Sequence, residues 1–238
     1  MLICRGPSIL TGEQILAIAI NNPPYWLKNV KTGPMIPVYI LDARMDPATA
    51  IRQNADRSVC GDCPLRSTEC YVNIAQGPTQ VFKAWKTGKY HIAHDMSFLH
   101  NRGVRLGAYG DPAAVPLNII ADVCNAARMW TGYTHQWRNP DAQPYRKHLM
   151  ASCESLRAAR EARDMGWRTF RIKTQDQPAG KGEAVCPASE ERGFQTTCEQ
   201  CGICSGTEGR GTSNICIDAH GPPNKKNALS HRIALSTI

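Results

Sequence analysis

Apolar residues along the chain fall into short runs separated by glycine, proline and polar stretches. Ile15 to Ile20 and Ile36 to Leu41 are strand-length runs, and a Pro/Asn/Gly-rich loop joins them. Asp46-Pro47-Ala48 places an N-cap before a proline and predicts a helix over about Pro47 to Asn54. Val81, Phe82 and Trp85 have helical spacing within Pro78 to Thr87, and Gly88 can close that helix. Val104 to Tyr109 reads as a strand ending at Gly110-Asp111-Pro112. Val115, Ile119, Ile120, Val123, Ala127 and Trp130 then form an amphipathic helical stripe that includes Cys124 as core. Thr131 to Trp137 is expected as a strand with Tyr133, His135 and Trp137 on one face. Tyr145 to Met165 is expected as a helix rich in Arg and Ala, closed by Gly166. Trp167 to Lys173 and Asn214 to Asp218 are the last expected strands, and the polar tail with Lys225 and Lys226 is expected to be exposed.

Strand–helix alternation from Val104 to Lys173 implies βαβ units and a mostly parallel sheet. Polar residues recur just after the expected strands: Asp111, His135 with Gln136, Gln175 with Asp176, and His220. Parallel α/β sheets bind ligands at the carboxyl ends of their strands, so these residues point to one shared site.

Composition narrows the class. With 238 residues, 42% apolar and 20% charged, the chain has the makeup of a globular protein and not of a disordered one. No run reaches the roughly 18 apolar residues of a membrane span, and Met1-Leu-Ile-Cys-Arg-Gly-Pro lacks the pattern of a signal peptide. A cytoplasmic protein is therefore expected, in the host cytoplasm if the chain is phage-encoded. In a reducing compartment the 11 cysteines are more naturally metal ligands or reactive thiols than disulfides, and their odd number agrees. The formal charge of +8 is concentrated partly at Arg157, Arg160, Arg163, Arg168, Arg171 and Lys173. Such a face suits a nucleic acid or nucleotide, and a solvated helix face is the plainer reading.

Two cysteine groups carry the candidate chemistry. Cys60, Cys63 and Cys70 lie within eleven residues on a Gly/Pro-containing loop. A mononuclear tetrahedral site wants four ligands, whereas a cube-type iron–sulfur cluster held by three keeps one iron open. Cys198, Cys201 and Cys204 have the spacing of a ferredoxin-like run. Closure by His220 or by Cys186 would equally suit structural zinc, so the spacing leaves iron and zinc both open.

Val59-Cys-Gly-Asp-Cys-Pro-Leu-Arg, Glu69-Cys-Tyr-Val, Arg105-Leu-Gly-Ala-Tyr-Gly-Asp-Pro, Tyr133-Thr-His-Gln-Trp-Arg and Thr197-Cys-Glu-Gln-Cys-Gly-Ile-Cys together resemble the phage-encoded cysteine-rich proteins described as radical-SAM-like. The resemblance runs from about Asn29 to Gly221. It implies a [4Fe–4S] cluster on Cys60, Cys63 and Cys70, with S-adenosylmethionine as co-substrate beside Tyr71, Tyr109, Gly110 and Asp111. Asp111 would orient the co-substrate's amino group, and the second cysteine group would be an auxiliary cluster or a zinc brace. The spacing here is C-x2-C-x6-C where that family has C-x3-C-x2-C, and Asp111 stands where it has Glu.

Cys198, Cys201, Cys204 and His220 also resemble, more loosely, the Cys3His zinc site of queuine-type guanine transglycosylases, which are barrels too. That resemblance implies a nucleophilic carboxylate and an acid–base carboxylate, with Asp111 and Asp176 as candidates, and a 7-deazaguanine inserted into DNA or tRNA. A non-enzymatic reading is a zinc-stabilised nucleic-acid-binding protein, with Tyr133, His135 and Trp137 stacking on bases; core packing of those rings is the plainer alternative.

The expectation is an α/β chain: a partial or irregular TIM-like barrel with mostly parallel strands, plus a C-terminal cysteine-rich metal module. Residues 1–58 form strands and loops packed on the barrel, 59–180 the core with the first cysteine loop, and 181–238 the metal-binding segment. The expected activity is that of a metal-dependent enzyme modifying a nucleotide or nucleic-acid base, with Asp111, Asp176 and His135 as catalytic candidates.

Overall fold

Ten strands and seven helices form two five-stranded sheets in a computed structural model that describes residues 1–22, 29–66, 69–193, 195–221 and 223–235. Part of the loop expected after Ile20 (23–28), part of the first cysteine loop (67–68), residue 194 of the second cysteine segment and residue 222 lie outside the described residues. The first sheet has the order β1(Leu2–Pro7), β2(Gln14–Ala19), β3(Ile36–Asp42), β4(Gly103–Tyr109), β5(Met129–Thr131). Its β1–β2 and β2–β3 pairs are antiparallel, and β3–β4–β5 are parallel. The second sheet has the order β6(Tyr133–Thr134), β7(Met150–Cys153), β8(Thr169–Lys173), β10(Asn214–Asp218), β9(Glu183–Val185), and all its pairs are parallel.

Gly132 alone separates β5 from β6. Its N–H donates to the Cys204 carbonyl at 3.0 Å and its carbonyl accepts from Met150 N at 3.0 Å. A Cβ at this position would lie 2.6 Å from Leu149 Cδ2, so a larger residue would force that buried side chain to shift. Because β5 pairs only into the first sheet and β6 only into the second, the result is a mixed α/β chain with two mostly parallel sheets. A single closed barrel is not what the pairing forms.

The parallel strands read as apolar runs because both their faces are covered. All seven residues of β3 are buried. A large core extends from Leu2 to Trp167, and a smaller one gathers Met150, Phe170, Ile172, Ile215 and Ile217. Among the described residues no helix is long and apolar enough to cross a membrane.

Several local expectations need correction. The stripe from Val115 to Trp130 is helical only in α4(Leu117–Ala126), because Ala127 turns extended (ψ 144°) and Met129 to Thr131 joins the sheet. The helix expected over Tyr145 to Met165 shrinks to α5(Leu156–Asp164), capped by the Ser155 side chain. The run Met150 to Cys153 before it is wholly buried and pairs as β7. Trp137 is not on a strand; it is 1% exposed, with its indole N–H on the Ser152 carbonyl at 3.0 Å. The polar tail is α7(Pro223–Leu235), which buries Leu229 and Ile233 in the smaller core. Strands β1 and β9 were not foreseen.

The expected basic face is also half interior. Arg157 and Arg160 are exposed on α5, but Arg168, Arg171 and Lys173 are buried. Arg171 forks onto Glu183 with contacts of 2.7–3.1 Å, both side chains almost fully buried. Lys173 pairs with Asp218 and Arg168 donates to the Gly206 and Ser213 carbonyls. Burial alone would raise the Glu183 pKa, but the Arg171 hydrogen bonds and the Gly180 amide outweigh it and hold the carboxyl below its usual value. Removal of one partner from such a pair strands a buried charge. Glu183→Ala is therefore expected to destabilise the protein by about 3–5 kcal/mol, read from the urea midpoint. The pair's contribution is complete above the unfolded carboxyl's pKa of about 4.3 and drains as pH falls through the lower folded value. The variant's stability should lack that acid-side loss.

Candidate functional site

The first cysteine loop is held from below by two strand ends. Asp46 caps α1(Pro47–Arg52), and α2(Arg57–Cys60) follows and ends at Cys60. The Asp111 amide, just past β4, donates to the Val59 carbonyl at 2.6 Å. Gln136, just past β6, donates through Nε2 to the Cys60 carbonyl at 3.1 Å, and its Oε1 accepts from Asp62 N at 3.4 Å. Arg66 closes the loop from the other side, paired with buried Asp56 at 2.7 Å and donating to the Gly61 carbonyl at 3.2 Å. Gly110 makes the turn into Asp111 at φ 80°, and a Cβ there would lie 2.6 Å from the Ile40 carbonyl oxygen.

Asp111 is spent largely on this framework. Its Oδ1 accepts from Ala113 N at 3.0 Å, which caps the turn beginning at Pro112, and its Oδ2 accepts from His135 N at 2.8 Å. Burial raises the carboxyl's pKa despite those amides. Both oxygens thus hold backbone, which is the capping role and not that of a free nucleophile.

A cavity of about 450 Å³ opens above these strand ends. Cys60, Cys63, Cys70 and Tyr71 come to it from the first cysteine loop, Tyr109, Gly110 and Asp111 from the end of β4, and His135 from the end of β6. Cys198, His220 and Arg105 also line it. The carboxyl ends of the parallel strands therefore meet the cysteines, as ligand sites in such sheets do. Residues from widely separated parts of the chain come together.

The electrostatics of this wall are unusual. Burial, and then the neighbouring Cys63 and Cys70, push the Cys60 thiol well above its ordinary pKa. Cys70 is raised chiefly by burial. His135 is raised too, for a different reason: burial would lower it, but the Cys63 side chain and Glu154 outweigh burial and raise it well above the usual imidazole value. The His135 Nε2 lies 2.9 Å from Glu154 Oε1, an ion-pair distance without hydrogen-bond alignment. The site thus places a cationic ring against crowded thiols.

The second cysteine group lies against the first cavity. Cys186, Cys198, Cys201 and Cys204 line a small adjoining space of about 20 Å³, and Cys198 borders both. The side chain of Thr197 caps α6(Cys198–Cys201) in a reciprocal box with Gln200. Burial and the other cysteines push Cys204 up to about 12, against a hydrogen bond from Tyr133. His220 is placed elsewhere than beside this group: its ring stacks 5.6 Å from that of Tyr71, at the first loop. Of the two closures the spacing allowed, Cys186 is the one that shares a wall with the other three cysteines. Among the described residues, no group of three or more His, Cys, Asp or Glu side chains is placed to hold a metal ion.

Asp176 does not join the site. It lies exposed in the turn after β8, its pKa lowered by the Thr174 side chain. Two contributors went unassigned in the sequence. Glu154 follows β7, but the expected helix over Tyr145 to Met165 hid that strand end and its post-strand polar signal. Arg105 stands within a quoted motif, and nothing in its spacing marked it.

No protein-family model matches the chain, and no curated protein or solved structure is significantly similar to it.

The clamp role of Asp111 has a direct test. Asp111→Ala leaves the Ala113 and His135 amides without their acceptor and is expected to cost about 2–4 kcal/mol. Asp111→Asn retains a carbonyl acceptor and should cost less. Equal thermal melting of wild type and Asp111→Ala would refute the clamp.

Proposed function

We propose that this chain is a metal-dependent enzyme of radical-SAM-like ancestry that modifies a nucleotide-sized substrate in the cavity beside Cys60, Cys63 and Cys70. The observation that carries the reading is convergence. The three thiols and Tyr71, from the first cysteine loop, line the same cavity as Tyr109, Gly110 and Asp111 at the carboxyl end of β4. The donor set fits a cationic occupant. Burial and mutual repulsion disfavour ionised thiols here, and a bound metal centre reverses that balance by deprotonating its ligands. Three thiols that face a cavity without converging on one point suit a polynuclear cluster better than a single ion.

In this reading Cys60, Cys63 and Cys70 hold the iron–sulfur cluster. Such a cluster supplies single electrons to a co-substrate such as S-adenosylmethionine. The chain's own residues set the stage for that chemistry. Asp111 and Gln136 fix the loop backbone, so the thiols keep their places. Imidazolium His135 beside Cys63 offsets the negative charge of the thiolates and can hold a proton there, with Glu154 behind it. Tyr71, stacked on His220, forms an aromatic wall against which a base can lie. Cys186, Cys198, Cys201 and Cys204 provide an auxiliary cluster site or a zinc brace.

The interior placement of Arg168, Arg171 and Lys173 favours a small nucleotide over a long polyanion as substrate. The base-exchange alternative is weaker, because it needs two available carboxylates. Asp111 is engaged by amides and Asp176 lies away from the cavity. The zinc-stabilised binding alternative loses Trp137 as a stacking ring, since that indole is in the core.

Anaerobic purification or reconstitution is expected to yield iron, sulfide and a brown chromophore. A Cys60→Ala/Cys63→Ala/Cys70→Ala variant should lose the iron of this site, while Cys124→Ala keeps it. A protein that takes up only zinc, or a triple variant that loads iron as fully as wild type, would sink the reading.

A further inference from the structure

Where the chamber beside the cysteines adjoins a wider cavity of about 1080 Å³, one guanidinium meets no carboxylate among the described residues. Arg105 lies on β4, is half-buried, and lines both spaces. Its one hydrogen bond among the described residues runs from Nη2 to the Tyr71 hydroxyl at 3.2 Å, and it makes no ion pair among them. Two other inward-lying arginines meet a carboxylate, Arg171 with Glu183 and Arg66 with Asp56, and Arg168 donates to two carbonyls. A guanidinium has five N–H donors in a planar fork, and that fork matches the oxygens of a carboxylate or phosphate. Most of the Arg105 fork is therefore unspent, and it faces the cavities.

The surroundings reinforce this. Lys31 borders the same chamber and adds a second positive charge. Of the carboxylates on the chamber wall, Asp111 is held by backbone amides and Glu190 is exposed. Neither neutralises Arg105 by contact. The wall shared by the two cavities thus carries Arg105 with the Tyr71 hydroxyl beside it, and Tyr71 in turn contacts the His220 ring.

We infer that Arg105 anchors an anionic group of the substrate, a phosphate or a carboxylate, while the rest of that substrate lies in the chamber beside the cysteines. The inference rests on reading the cavity as the substrate chamber, but on no property of a metal. It narrows the substrate to an anionic small molecule and, for a nucleotide, gives the phosphate a fixed place. The charge-assisted fork would supply orientation as well as affinity.

The test is calorimetric titration of the full-length protein, as purified anaerobically, with the four nucleoside 5′-monophosphates and their parent nucleosides. Pyrophosphate and malonate serve as competing phosphate and carboxylate probes. At least one monophosphate is expected to bind about ten- to a hundredfold more tightly than its nucleoside, the range of one or two charge-assisted hydrogen bonds. Arg105→Gln should abolish that difference and leave nucleoside binding unchanged, and Arg105→Lys should restore part of it. If pyrophosphate or malonate binds wild type and not Arg105→Gln, the anchor is upheld and its preferred anion identified. Should Arg105→Gln fail to fold, displacement of a bound monophosphate from wild type by pyrophosphate or malonate takes its place. Absence of displacement then counts against the anchor. Wild type that binds none of these anions, or Arg105→Gln that binds them as tightly, overturns the inference. Iron content of Arg105→Gln, measured separately, reports on the cysteine reading alone, so the two can fail independently.

Discussion

A buried carboxylate that cannot remain unsatisfied organises the centre of this protein. Asp111 sits in a nearly water-free turn, where a charged or polar oxygen without a partner is costly. Its two oxygens take the Ala113 and His135 amides, and its own amide takes the Val59 carbonyl. That one residue joins the end of β4, the end of β6 and the base of the first cysteine loop. Gln136 adds a second tie to the same loop. The positions of Cys60 and Cys63 follow from this polar junction more than from any contact of their own.

Charge distribution around the cavity follows from the same packing. Crowded, buried thiols resist ionisation, and the cationic His135 partly relieves them. The imidazole is in turn held charged by Glu154 and by Cys63, so proton positions at this wall are mutually dependent. Arg105 stands apart: it makes no ion pair among the described residues, whereas Arg171 and Arg66 meet Glu183 and Asp56. The cavity wall thus combines thiols, a raised-pKa imidazole and a guanidinium without an ion pair among the described residues. The cohesive work is done elsewhere, by apolar β3 and by the Arg171–Glu183 pair in the second sheet.

The basic composition illustrates how charge counts mislead. Six cationic residues between Arg157 and Lys173 suggest one electropositive face, yet they divide between a helix surface and a strand. On β8 the alternation of side chains gives no solvent face, because both sides of the sheet are covered. Arg171 and Lys173 can be there only because Glu183 and Asp218 neutralise them.

Patterns confined to a few adjacent residues were legible from the sequence. The runs Ile15–Ile20, Ile36–Leu41 and Val104–Tyr109, the capped start at Asp46-Pro47 and the parallel character of the later strands follow from local apolarity and capping. So does the idea that polar residues after strands share a site, as Asp111, His135 and His220 do. Local pattern failed where neighbours in space decide the outcome. Met150 to Cys153 continues a helical period but pairs as a strand, because open ladder positions on β6 and β8 accept it. Asp176 has the same place after a strand as Asp111 but faces water. Whether the second cysteine group is closed by His220 or Cys186, and whether Arg105 finds an acid, depends on which surfaces pack together. One-dimensional spacing holds no such information, since these partners lie many residues apart and meet only when the two sheets assemble.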